Sequence, residues 1–398
     1  MKILFVDQFS DLGGAQICLR ELLDETVRRG WQCEAMAAGN GPLHQACADR
    51  GIVSARLPLA CHANHPKTIP DAFRFGIDTL RSARAIRRTL ERFQADLIYV
   101  NGPRILPAVV AAMQGKRTPI VFHAHSYPAG ETARRIARWC IRRKRMRVLA
   151  ISQFVARAFS QAADGPGIQI VYNGVRDYGF VQRPRSKPTC IGIIGRISPE
   201  KGHLDFVRAA RAIATGRKNL RFVIFGAALF AGGSYEQDVR TAAAGAPVEF
   251  RGWTDDVSAA LHEIDILAVP SGPAEGATRI VMEAFSAGTP VVAYPSGGIP
   301  ELVRHGQTGW LTRGSGHEFL ADALETLLDD PAMLQRFSTQ GRAEWEHRFR
   351  LERWVREVCG FAEEATVCGP GVGRPATSGN RFEAPATGPA DDAARGAR

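Results

Sequence analysis

Short runs of apolar and β-branched residues alternate along almost the whole chain with longer stretches whose apolar positions recur every three to four residues. KILFVD, CEAMA, DLIYVN, PIVFHAH, VLAIS and QIVYNG form a first series. TCIGIIG, RFVIFG, VEFRGW, ILAVPS, TPVVAY and GWLTR form a second. Continuous apolar runs suit strands buried on both faces, and the amphipathic spacers suit helices, so the pattern predicts α/β architecture with parallel sheets. The charged, Pro-rich segment RPRSKP, residues 183–188, separates the series and reads as a linker. Two Rossmann-like domains are expected, residues 1–182 and 189–344, with helical patterns continuing beyond. From about Thr366 to the end, Gly, Pro, Ala and Thr dominate, and the few large apolar residues cannot offset the entropy of ordering; residues 366–398 are predicted to be a disordered tail.

Composition narrows the choice of partner. The chain has 398 residues, of which 45% are hydrophobic, enough for two ordinary cores. Lys and Arg outnumber Asp and Glu by 51 to 40, a formal charge of +11 that favours an anionic partner: a nucleotide, a phospholipid surface or nucleic acid. Eight scattered cysteines without a C-x-x-C pair argue for reduced thiols in a cytoplasm rather than a disulfide framework or a zinc site. The apolar start is too brief for a signal peptide, and no stretch approaches the ~20 apolar residues of a membrane span. The expected location is cytoplasmic, either soluble or peripheral on the inner face of a membrane.

The candidate chemistry centres on SGPAEGATRIVMEAFSAGTPVVAYPSGGIPELV, residues 271–303. Seven residues separate Glu275 from Glu283. The apolar positions predict a helix closing at Gly288, which places Glu275 in the loop before it and Glu283 one or two turns in. A helix N-terminus offers unpaired N–H groups to a phosphate, and a carboxylate beside it suits sugar hydroxyls. Gly13 and Gly14 follow the first strand and permit close approach of backbone to a ligand. No G-x-G-x-x-G follows that strand, so a dinucleotide oxidoreductase loses its main support. His123 and His125 share one face at the end of a predicted strand, where a metal pair, a buried hydrogen-bonded histidine and a substrate contact all remain open.

In order along residues 1 to about 360, these motifs resemble the retaining nucleotide-sugar glycosyltransferases of the GT-B fold, family 4. Besides the Glu-(seven residues)-Glu motif, the likeness includes AGTPVVA, the GG-x-x-E segment and Gly195-Arg196-(four residues)-Lys201-Gly202. The resemblance implies two Rossmann-like domains facing a central cleft, with a last helix, about residues 345–364, crossing back onto the first. It implies that Arg196 and Lys201 hold the donor diphosphate and stabilise its departure, and that His125 touches the transferred sugar. Glu275, with the N–H groups of Gly276, Ala277 and Thr278, would orient the sugar, and Glu283 would accept from the ribose. Gly13 and Gly14 would lie across the diphosphate and acceptor. Gly226 and residues 251–257 would cradle the base, largely by backbone contacts; Trp253 reads either as a stack on the base or, the preferred reading, as a core or capping aromatic. Ala277 and Thr278 stand where Phe and Gly are usual in the family, and Arg279 follows, so the identity of the sugar is left open. With no Asp-x-Asp triplet and no carboxylate placed as a covalent nucleophile, same-face attack without a metal or other cofactor is expected.

The expected donor is therefore a nucleoside diphosphate sugar, and the expected acceptor a sugar or lipid-linked hydroxyl in cell-envelope polysaccharide or glycolipid assembly. Two Arg-rich stretches, Arg81 to Arg92 and Arg134 to Arg147, read either as solvated faces or as a surface resting on anionic lipid, with Ile136 and Trp139 as an apolar edge. A GT-B nucleotide-sugar epimerase is the alternative within the fold. A basic adaptor for membrane or nucleic acid is the alternative outside it. No aromatic-interleaved basic groove supports a nucleic-acid partner.

Overall fold

The structure is a computed structural model that describes residues 1–60, 68–128, 130–160, 167–181, 190–217, 219–228 and 234–368. The linker segment 183–188 and the tail beyond Cys368 lie outside the described residues.

The first half runs β1 (Lys2–Asp7), α1 (Gly14–Arg28), β2 (Gln32–Ala38), α2 (Leu43–Ala48), β3 (Val53–Leu57), α3 (Ile69–Phe93) and β4 (Leu97–Asn101). It continues through α4 (Leu106–Ala112), β5 (Ile120–Ala124), α5 (Glu131–Lys144), β6 (Arg147–Ala150), α6 (Gln153–Arg157) and β7 (Ile168–Ile170). The strands form one parallel sheet in the order β3-β2-β1-β4-β5-β6-β7. Six of these strands lie in the predicted runs. The seventh, β3 (VSARL), buries only Leu57 fully and closes the edge of the sheet, so it carries no continuous apolar run.

The second half runs β8 (Cys190–Ile194), α7 (His203–Ala214), β9 (Arg221–Phe225), α8 (Ser234–Ala243), β10 (Val248–Gly252), α9 (Val257–Glu263) and β11 (Ile266–Val269). After it come α10 (Arg279–Ala287), β12 (Val291–Ala293), α11 (Ile299–Leu302), β13 (Trp310–Leu311), α12 (His317–Leu328), α13 (Pro331–Glu344) and α14 (Leu351–Cys368). Its parallel sheet has the order β10-β9-β8-β11-β12-β13. In each sheet the order reverses beside the first strand, at β1/β4 and at β8/β11. Such a switch point opens a crevice at the strands' carboxyl ends, where ligands of open α/β sheets bind.

Helices α3, α4 and α5 cover one face of the first sheet through Ile86, Val109 and Ile141. Helices α1 and α2 cover the other together with α14, which buries Trp354, Val358 and Phe361 there. The chain thus returns to the first domain at its end. The return is pinned at Val175, whose N–H donates to Phe349 O at 2.8 Å while its carbonyl accepts from Leu351 N at 3.0 Å and Trp345 Nε1 at 3.1 Å. Helix α14 continues to Cys368, so Thr366, Val367 and Cys368, expected in the disordered tail, are helical. Packing of Phe361, Ala362 and Ala365 into the first domain's core carries the helix past the point where local composition turns poor.

Candidate active site

The loops at the carboxyl ends of both sheets meet. Gly276, in the loop between β11 and α10, packs so closely on the end of β5 that a Cβ there would stand 2.9 Å from the carbonyl of His125. Its own carbonyl accepts from Ser152 Oγ of the first domain at 2.8 Å. Gly298 lies behind this loop: its N–H donates to Glu275 O at 2.9 Å, and a side chain there would collide with Gly276 O at 1.9 Å. Glu301, on α11, accepts from the N–H groups of Gln153 and Phe154 at 2.7 Å each and from Tyr172 Oη at 2.9 Å. An acid from the second domain therefore caps a helix of the first, where the dipole favours negative charge.

Glu275 lies in the loop before α10, and its Oε2 accepts from Lys201 Nζ at 2.5 Å. Lys201 is set by the short turn Pro199–Lys201 and by Gly202, which adopts the left-handed conformation (φ 75°) and whose missing Cβ leaves room for Pro270 O. Arg196 pairs with Glu200 at 3.3 Å and remains about one-third exposed, at 36%. The cation and acid of the two separate motifs thus meet directly. Thr278 occupies the N-cap position of α10, and Gly276, Ala277 and Thr278 are buried.

Glu283 stands one turn into α10 and is buried. Oε1 accepts from Tyr178 Oη at 3.2 Å and lies 3.4 Å from Arg279 Nε. Burial pushes its carboxyl upward, against the pull of Arg279.

His125 and His123 lie with ring centroids 3.9 Å apart, and Nε2 of each is buried without a hydrogen-bond partner among the described residues. His123 Nδ1 is 2.6 Å from Tyr99 Oη, which fits the buried, hydrogen-bonded reading for that ring. Burial, then the nearby Arg279, pushes His125 down to about 3, so its imidazole is neutral at neutral pH. Among the described residues no group of three or more His, Cys, Asp or Glu side chains could hold a metal ion.

Gly13 caps α1, and its N–H lies 3.3 Å from Gln16 Oε1. Gln16 Nε2 in turn donates to Asp7 Oδ1 at 2.9 Å, while Asn101 Nδ2 donates to the other carboxylate oxygen. Burial raises Asp7 to about 6. The Asp7–Gln16–Asn101 set fixes the Gly-rich turn, and sequence reasoning passed over it because its members lie on three separate elements. Gly226 sits where a side chain would strike Gly195 O at 2.1 Å. Trp253 is 45% exposed and donates to Asp255 Oδ1 at 3.1 Å, which corrects its reading as a core or capping aromatic: the loop after β10 leaves the ring in solvent. The cysteines Cys18, Cys33, Cys47, Cys140, Cys190 and Cys359 are free thiols, and burial lifts Cys18 to about 11.

Comparison with known proteins gives this geometry its context. Residues 12–177 match the description Glycosyltransferase Family 4, and residues 188–330 match Glycosyl transferases group 1. A GDP-mannose-dependent monoacylated alpha-(1-6)-phosphatidylinositol monomannoside mannosyltransferase of Corynebacterium glutamicum is 26% identical over 312 residues, 71% of this chain and 79% of that one. A D-inositol 3-phosphate glycosyltransferase of Corynebacterium efficiens is 31% identical over 194 residues, 46% of this chain and 45% of its own. Anabaena Alr3699/HepE, solved in complex with UDP-glucose, superimposes with a TM-score of 0.77 at 24% identity, covering 92% of this chain and 100% of that one. The sucrose-phosphate synthase of Thermosynechococcus elongatus follows at 0.76 and 17%, covering 92% and 99%. At those identities the structural likeness speaks for the fold. Together with the two family matches it identifies the chain as a glycosyltransferase of the GT-B fold, a member of family 4, the group 1 glycosyl transferases.

Proposed function

We propose that the enzyme transfers a hexose from a nucleoside diphosphate sugar to an acceptor hydroxyl with retention of anomeric configuration. The observation that carries this reading is the contact between Lys201 and Glu275 at the N-terminal end of α10, one turn before the buried Glu283. Lys201, with Arg196 at the same strand end, receives the diphosphate. Fixed cations there stabilise charge as it grows on the leaving phosphate. Glu275 orients the sugar together with the backbone of Gly276, Ala277 and Thr278. Oε2 of Glu283, which receives no bond from the described residues, accepts from the ribose hydroxyls. Neutral His125, with its buried and unpartnered Nε2, suits a hydroxyl of the transferred sugar. In this reading Glu275 and Glu283 both serve in binding, and neither acts as a nucleophile. The leaving phosphate therefore takes the acceptor proton as the acceptor attacks on the face it leaves, without a metal.

The acceptor we propose is lipid-linked, consumed in cell-envelope assembly at an anionic membrane face. A relative named for a phosphatidylinositol mannoside acceptor supports this, as does the surface of the first domain. Helix α3 has 25 residues, about 37 Å, roughly twice the length of the strand it covers. Its first turns carry Phe73 (73% exposed) and Leu80 (55%) beside exposed Arg74, Arg81 and Arg84; α5 adds Trp139 and Arg135. Apolar rings among arginines suit an interface with anionic lipid. No helix among the described residues is long and apolar enough to cross a membrane.

The test is a donor screen. Purified protein is incubated with UDP-, GDP- and ADP-sugars and EDTA, with and without vesicles carrying 30% anionic lipid and a polyprenyl phosphate-linked sugar, and the product anomer is read by NMR. Transfer with retention supports the reading; inversion, or activity abolished by chelation, refutes it.

A further inference from the structure

Arg279, the first residue of α10, takes no part in the scheme above, yet its guanidinium is buried between carboxylates from opposite sides of the cleft. Nη1 and Nη2 each donate at 2.9 Å to Glu21, on α1 of the first domain. Nε lies 3.4 Å from Oε1 of Glu283, one turn along its own helix. Nη1 also lies 3.3 Å from Gly174 O and 3.1 Å from Cys18 Sγ. The aliphatic stem crosses Gly14, where a Cβ would stand 3.8 Å from Arg279 Cδ. Gly14, Cys18 and Glu21 fall on one stripe of α1, so that stripe receives the whole side chain.

One cation shared by the buried Glu283 and the partly buried Glu21 leaves the group with a net negative charge, which is costly unless each acid keeps its partner. The two short bonds go across the cleft to Glu21. The long contact goes to Glu283, on the same oxygen that Tyr178 bonds, so Oε1 is restrained while Oε2 stays available.

We propose that Arg279 is a positioning residue that ties Glu283 to the first domain, so that the ribose-binding carboxylate is aimed only while the Gly13–Gly14 turn and Glu21 pack against the Arg279 side chain. The proposal rests on the reading of Glu283 as a ribose acceptor. The charged and titratable groups facing Glu283 are Arg279, Glu21 and the Cys18 thiol, with the Tyr178 hydroxyl; burial raises its carboxyl, and Arg279 and the Tyr178 hydroxyl pull against that rise.

The experiment compares donor kinetics across pH for the full chain and for Arg279→Lys, Arg279→Met, Glu21→Gln, Glu283→Gln and the double variants of Arg279 with Glu283→Gln. In Arg279→Met, kcat/KM for the donor should fall about 10²-fold, the scale of a misplaced binding group. Its acid limb should move to higher pH as Glu283 loses its cation. Arg279→Lys, which keeps charge but not the two-pronged geometry, should restore the limb while kcat/KM stays depressed. In the Glu283→Gln background, either Arg279 substitution should cost little more. Losses that multiply, or an acid limb unmoved in a variant that melts like the parent, overturn the proposal. Should Arg279→Met not fold, Arg279→Lys and Glu21→Gln carry the same comparison. A parent enzyme that turns over no nucleotide sugar overturns the donor reading, and this inference with it; an active parent with independent variants overturns the inference alone.

Discussion

Lys201 is engaged by an acid of the same site: its ammonium lies 2.5 Å from Glu275 Oε2, with the side chains 21% and 14% exposed. A diphosphate arriving at Lys201 must share it with this acid, whose charge also repels phosphate. At such a partly solvated pair the contact is worth about 1 kcal/mol after screening. Glu275→Gln removes the competing charge and keeps the volume, so free UDP or GDP should bind about fivefold tighter by calorimetry in 0.1 M salt with EDTA. Transfer should nevertheless fall about 10²-fold, because the sugar loses its orienting acid. Lys201→Met should do the reverse to binding, raising Kd, and should lower kcat about 10²- to 10³-fold. The two substitutions thus act oppositely on nucleotide affinity and alike on turnover. Nucleotide binding that is unchanged or weaker in Glu275→Gln would refute the competition between Glu275 and phosphate for Lys201.

Three further outcomes are expected. Acid should destabilise the fold between about pH 6.5 and 4: His125 at about 3, His203 at about 4 and strongly depressed His123 stay neutral when folded, so the unfolded chain binds the extra protons as pH falls. Asp7, raised to about 6, and Glu283, also raised by burial, act with the opposite sign but are two groups against three, and each net proton is worth about 1.4 kcal/mol per pH unit. Urea midpoints that hold level from pH 7 to 5 would contradict this. Glu301→Ala strips the acceptor from Gln153 N, Phe154 N and Tyr172 Oη and should cost about 2 to 3 kcal/mol in chemical denaturation. Gly298→Ala places a methyl 1.9 Å from Gly276 O, and the resulting shift of the Glu275 loop should lower kcat/KM about 10²-fold; parental kinetics would show that the loop tolerates the displacement.

What could be read before the fold was known follows from where the information is local. The parallel strands announce themselves because a doubly covered sheet demands continuous apolar runs, whereas β3, at an edge, does not. Glu275 and Glu283 are separated by one loop and one helical turn, so their relation survives in sequence spacing. Glu21 is 258 positions from Arg279, and Glu301 is 148 from Gln153. No periodicity reports such cross-cleft pairs, because they depend on how two separately specified sheets are set against each other. Arg279 was visible only as an odd residue in the motif, and Trp253 was misjudged because its exposure depends on the path of a loop.

The return of α14 to the first sheet has a consequence for anyone who would rebuild this enzyme from parts. Its opening half is not a contiguous cassette: residues 1–181 expressed alone would leave uncovered the apolar floor that Trp354, Val358 and Phe361 seal. A chimera that exchanges acceptor preference between relatives must carry the closing helix, Leu351–Cys368, along with the opening half. Recombination at a single crossover point should yield insoluble chains, while two crossover points, one on each tether, should yield working hybrids.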